Sequence, residues 1–121
     1  MAPLLAIVVV VMLMAQFTVA GLALFQAQGL WMVHATLGGM IALPVLALLV
    51  ETRRGTPMAE FGWLTRGLLL QYLLQVGLGA ASDSPGLAAV RVAHVANASA
   101  LLCTATVLAV RLWGPVRVRG K

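Results

Sequence analysis

Four long apolar stretches, at roughly 3 to 25, 30 to 50, 62 to 81 and 87 to 112, leave this chain little choice of fold. Each approaches or exceeds the about 20 apolar residues that a helix needs to cross a hydrocarbon core. Of 121 residues, 62% are hydrophobic and 9% charged, against roughly a quarter charged in an ordinary soluble domain. The reading is an all-α integral membrane protein, a single transmembrane four-helix bundle over residues 1–121 with nothing left for a soluble domain. The first run, LLAIVVVVMLMAQ, lacks the basic leader and small-residue cleavage site of a signal peptide and reads as the first spanning helix.

Polar punctuation sets the topology. Gly29 and the glutamines of ALFQAQG make one turn, ETRRGTPMAEFG a middle loop, and Asp83, Ser84, Pro85 and Gly86 another turn. Such short links give an antiparallel bundle, up-down-up-down. The net charge of +5 might suggest nucleic acid, but Arg53, Arg54 and Arg66 flank the middle loop, and Arg111, Arg117, Arg119 and Lys121 fill the tail. No basic surface is interleaved with aromatics, so no nucleic acid is expected. By the positive-inside rule the middle loop and both termini are cytoplasmic, in a multi-pass protein of a bacterial or archaeal-type cell membrane. The lone Cys103 excludes an intrachain disulfide and reads as a small buried apolar side chain.

The only histidines are His34, in WMVHATLGG, and His94, in VRVAHVANASA. Each lies early in an even-numbered helix, four and about seven residues in, so at 1.5 Å per residue their depths differ by only about 4 to 5 Å. In a four-helix bundle the second and fourth helices face each other across a diagonal of roughly 11 to 14 Å. That gap suits a haem held by one histidine on each face. Zinc or copper would normally recruit further Cys, Asp or Glu, and none lies near in sequence. Gly38, one turn after His34, and the small ANASA segment would let backbone approach a porphyrin. Arg91, one turn before His94, could meet the haem propionates or snorkel to the interface.

Gln16, Gln71 and Gln75 are polar groups inside the odd-numbered helices, able to bond a histidine ring, a propionate or a quinone oxygen, or simply to join helices. Gln71 and Gln75 share one face of the third helix. Met12, Met14, Met32 and Met40 could be axial ligands but read as core fillers. The two halves also resemble each other: Gln16 precedes His34 by 18 residues and Gln75 precedes His94 by 19, with an outer turn between.

Through AQFTVAG, HATLG and QVGLGA followed by RVAHVANAS, over roughly residues 12 to 110, the chain resembles one half of haem A synthase. That membrane family is built from two four-helix bundles, each with a histidine pair on its second and fourth helices near the outer side. Its catalytic half carries a glutamate one turn before the second-helix histidine, where this chain has Trp31. The resemblance is therefore to the non-catalytic half, which holds a haem b.

The expected function is a membrane b-type cytochrome, with one haem b iron between His34 and His94 and with Arg91, Gly38 and Gln75 beside it. The haem lies toward the outer side. Two axial histidines leave no open position, which favours an electron carrier over an enzyme; no catalytic residue is assigned. Beyond the lipid bilayer, expected partners are a quinol or redox protein, and a second copy or larger membrane complex. Two rivals remain: a haem-free accessory or assembly subunit whose histidines and glutamines only join helices, and a haem-modifying or haem-carrying protein.

Overall fold

The structure, a computed structural model, describes residues 1–54, 57–82 and 88–114. The turn read at Asp83, Ser84, Pro85 and Gly86, the middle-loop residues Gly55 and Thr56, Leu87, and the tail with Pro115, Arg117, Arg119 and Lys121 lie outside the described residues. Four helices account for almost everything else: α1, Ala2–Phe25; α2, Leu30–Arg53; α3, Gly62–Ala81; and α4, Ala88–Trp113. A short 3-10 turn, Pro57–Phe61, leads into α3. Among the described residues there is no strand. Three helices, α1, α2 and α4, are long and apolar enough to cross a membrane.

Side chains this apolar offer the backbone almost no partners, so each run satisfies its own N–H and C=O groups as a helix. Pro3 stands in the first turn of α1, where a missing N–H costs no helical bond. At its other end the N–H groups of Gln26 and Ala27 both donate to the Leu22 carbonyl, at 2.9 and 3.0 Å, and the chain turns. The Ser82 N–H closes α3 on the Gly79 carbonyl, and the Gly114 N–H closes α4 on that of Val110.

One helix is not continuous. α2 consists of Leu30–Met40 and Ala42–Arg53, interrupted at Ile41. Pro44 has no N–H to give the Met40 carbonyl, and its ring crowds that carbonyl. Tyr72, from α3, bonds α2 just before this break: its hydroxyl lies 3.1 Å from the Gly38 carbonyl and 3.3 Å from that of Gly39. The helix resumes with the Val45 N–H donating to Ile41.

Each helix packs against two neighbours, α1 against α2 and α4, and α3 against α2 and α4, so α2 and α4 lie across a diagonal. The shared core is built from Val9 and Leu13 of α1, Ile41, Val45 and Leu48 of α2, Leu64, Leu68 and Tyr72 of α3, and Leu101, Ala105 and Leu108 of α4. No residue of Leu30–Met40, the segment that carries His34, is buried. Cys103 is exposed, contrary to the buried side chain expected, because it points away from the face that Leu101, Ala105 and Leu108 bury. Met14, Met32 and Met40 are exposed as well; of the four methionines only Met12 packs against the core.

The burial pattern repeats. Ala6, Val9 and Leu13, buried on α1, correspond to Thr65, Leu68 and Tyr72 on α3 at a constant shift, 75 minus 16, that also superposes Gln16 on Gln75. Ile41, Val45 and Leu48 on α2 correspond to Leu101, Ala105 and Leu108 on α4 at the shift, 94 minus 34, that superposes the two histidines. The two helix pairs therefore present equivalent positions to one core.

Candidate functional site

Beyond the apolar core, helix positions that would continue it carry polar groups instead. One turn past Leu13 comes Gln16, and one turn past Tyr72 comes Gln75; on α2 and α4 the histidines stand on the same side of the core. Both histidines are half-buried. Their ring centroids lie 6.4 Å apart with the planes at 62°. Trp31 packs edge-on against His34 at 5.7 Å.

Around His34 the contacts run through backbone. The Gln16 amide donates to the His34 carbonyl at 2.9 Å. It can lie so close to α2 because residue 38 is glycine: a Cβ there would come within 2.6 Å of Gln16 Nε2. Gly38 was expected to make room for a porphyrin; its space is taken here by Gln16.

Around His94 the contacts run through side chains. Gln75 Nε2 lies 3.1 Å from His94 Nε2. Asn97 Nδ2 donates to Gln75 Oε1 at 2.8 Å and to the Gln71 carbonyl at 2.9 Å. Here the glycine is on the odd-numbered helix: a Cβ at Gly79 would meet His94 Cε1 at 3.2 Å and Nδ1 at 3.5 Å. Arg91 is exposed and its Nε donates to the Ser82 carbonyl at 3.0 Å, so its guanidinium ties the start of α4 to the end of α3.

Among the described residues, the buried side-chain nitrogen and oxygen atoms without a hydrogen-bond partner are Gln16 Oε1, Gln71 Oε1, His34 Nδ1 and His94 Nδ1. All four belong to this cluster or to the residue one turn from it. A buried polar atom left unpaired costs about 1 to 3 kcal/mol. Their concentration at one level separates this region from the rest of the molecule.

Of the expected site residues, the structure brings together His34, His94 and Gln75, sets Gly38 against Gln16, and leaves Arg91 on the surface at Ser82. Asn97, Gly79 and Tyr72 were not anticipated. Asn97 was legible as a polar group three residues after His94 on the same helical face, and Gly79 as a small residue one turn after Gln75. Tyr72 carried no comparable signal, because its partners are backbone carbonyls on another helix. Among the described residues no group of three or more His, Cys, Asp or Glu could hold a metal ion. Chemically the site offers two imidazoles and three amides in an apolar surround, with no carboxylate among the described residues beside them.

No curated protein and no solved structure matches the chain. A family model does, over residues 16–81, just over half of the length, which takes in Gln16, His34, Gly38, Gln71, Gln75 and Gly79 and stops short of His94. The chain therefore belongs to DUF6220, a family of unknown function.

Proposed function

We propose that this protein is a small b-type cytochrome of the cell membrane, with His34 and His94 as the two axial ligands of one haem b. The observation that carries the reading is the separation of the rings. Two imidazoles bound on opposite sides of one iron, at about 2 Å per metal–nitrogen bond, place their centroids roughly 6 Å apart; the two here are 6.4 Å apart. Two donors are too few for a closed bare-metal site, whereas a porphyrin supplies the other four. Bound haem would supply one-electron redox chemistry, and with both histidines holding it the chain would act as an electron carrier rather than an enzyme.

The chain's own residues would hold and insulate that group. Gln75 would have to turn aside from His94 Nε2, Trp31 packs edge-on against the His34 ring, and Arg91, one turn before His94, would offer its guanidinium to the propionates. Three apolar helices support insertion in a membrane. The core draws on the first halves of α1 and α3 and the second halves of α2 and α4, which supports an up-down-up-down bundle. The cytoplasmic side would be that of Arg53, Arg54 and Arg66, with both termini there and the haem toward the outer side. The resemblance to the haem b half of haem A synthase supports the same assignment. A quinol or an outer redox protein would exchange the electron, and a second copy or another subunit could complete the assembly.

One observation favours a second reading. The Asn97–Gln75–His94 bonds already join α3 to α4, so the polar cluster could serve as helix glue in a haem-free accessory subunit. The protein purified in mild detergent from haem-supplied cells decides between them. A sharp low-spin reduced spectrum with about one pyridine haemochrome per chain is expected. A colourless, folded protein that cannot be reconstituted with haem would leave only the second reading.

A further inference from the structure

The bonds around Asn97 fix more than helix packing. The Gln71 carbonyl can only accept a hydrogen bond, so the Asn97 atom 2.9 Å from it is the amide NH2. The same Nδ2 reaches Gln75 at 2.8 Å, so that atom of Gln75 is its oxygen. The other arm of Gln75, its NH2, then faces His94 Nε2 at 3.1 Å, and a donor there requires a ring nitrogen with a free lone pair. The ring proton of a neutral His94 is left on Nδ1. One backbone carbonyl on α3 thus sets, through two amides, which nitrogen of a histidine on α4 carries hydrogen.

We infer that Asn97 is a positioning residue: acting through Gln75, it holds His94 as the Nδ1–H tautomer, with the Nε2 lone pair kept free of a proton and met by the Gln75 amide. The inference extends the haem reading, because Nε2 is then the nitrogen presented to the iron and no proton has to leave it on ligation. Gln75 is an exchangeable cap on that lone pair. His34 has no such arrangement: at the position equivalent to Asn97 stands Leu37, and Gln16 bonds its backbone instead. The pair is asymmetric, with one ring held in a single tautomer and the other free to adopt either.

The test is nitrogen-15 NMR of the haem-free protein in detergent, with histidine side chains labelled and His34→Gln used to assign the signals. The expected result is an unprotonated Nε2 in His94 and a protonated Nδ1. In Asn97→Ala the Gln75 amide is released and the two tautomers should mix. In Gln75→Glu, which keeps shape and leaves Asn97 its acceptor, Nε2 should become protonated. A protonated Nε2 in the unaltered protein, or a His94 tautomer indifferent to both substitutions, would overturn the inference. The second arm is haem titration of the unaltered protein. An unaltered protein that shows the expected tautomer and takes up no haem would overturn the cytochrome reading and leave the tautomer assignment standing.

Discussion

The two halves of this molecule bury the same positions and wire them differently. In the α1–α2 pair the glycine is Gly38, on the histidine helix, and the glutamine of the facing helix leans into it to reach a backbone carbonyl. In the α3–α4 pair that position is Ala98 and the glycine is Gly79, on the glutamine helix, so the histidine ring leans across and meets Gln75 directly. Leu37 against Asn97 completes the contrast: only the second half has a side-chain donor for its glutamine oxygen, and the Gln16 oxygen stays buried and unpaired. A repeated apolar scaffold can therefore carry two inequivalent histidines through changes in single small or polar residues.

Substitutions can break this comparison or make it sharper. The largest effect is expected from His34→Ala and His94→Ala, each of which should abolish the low-spin haem spectrum; a spectrum that survives either change would show that the rings do not act as a pair. Next, Gln75→Leu removes the amide that would have to leave His94 Nε2 before a metal bound there, so it should raise haem affinity by about the net worth of one hydrogen bond, about 1 kcal/mol. Gln16→Leu, which touches only the His34 backbone, should change it little. Equal effects in the same titration would erase the distinction between the halves.

Smaller effects concern the glycines. In Gly79→Ala the new Cβ would meet a ring at 3.2 Å, so the His94 signals should move in NMR spectra. In Gly38→Ala it would meet the free end of a flexible amide, which can swing away with the loss of one hydrogen bond, about 1 kcal/mol. Tyr72→Phe removes the hydroxyl that bonds α2 at its interruption and should lower stability to denaturing detergent by roughly 0.6 kcal/mol, up to about 1.7, the range for single bonds between membrane helices. Smallest of all, Leu37→Asn would offer Gln16 Oε1 the donor it lacks and should change stability by less than about 0.6 kcal/mol, while drawing the Gln16 amide toward the pattern of Gln75.

Much of the fold was legible from local pattern. Four apolar runs, ended by Gly29, by the arginines after Val50 and by the polar residues after Ala81, are enough to mark four helices, because helix formation depends on neighbours within a turn. Two histidines at similar depth on even-numbered helices were legible for the same reason. The interruption at Ile41 was not read, although Pro44 announces it, because a hydrophobic run of adequate length masks a missing donor. The exposure of Cys103 and of three methionines was missed because, in a chain apolar all round, composition does not tell the core face from the outer one.

By itself, then, the sequence determined an all-helical chain of four apolar runs, three of which form helices long and apolar enough to cross a membrane, and polar groups recurring at equivalent places in two halves. Periodicity and composition act over a few residues, and those features need nothing more. Only the tertiary structure decided that the rings stand 6.4 Å apart, that Gln16 serves a backbone and Gln75 a ring, and that Asn97 governs the second. A hydrogen bond between helices is made or lost over a fraction of an ångström. Its partners follow from the axial register and rotation of packed helices, which a single Cβ at residue 38, 79 or 98 is enough to change.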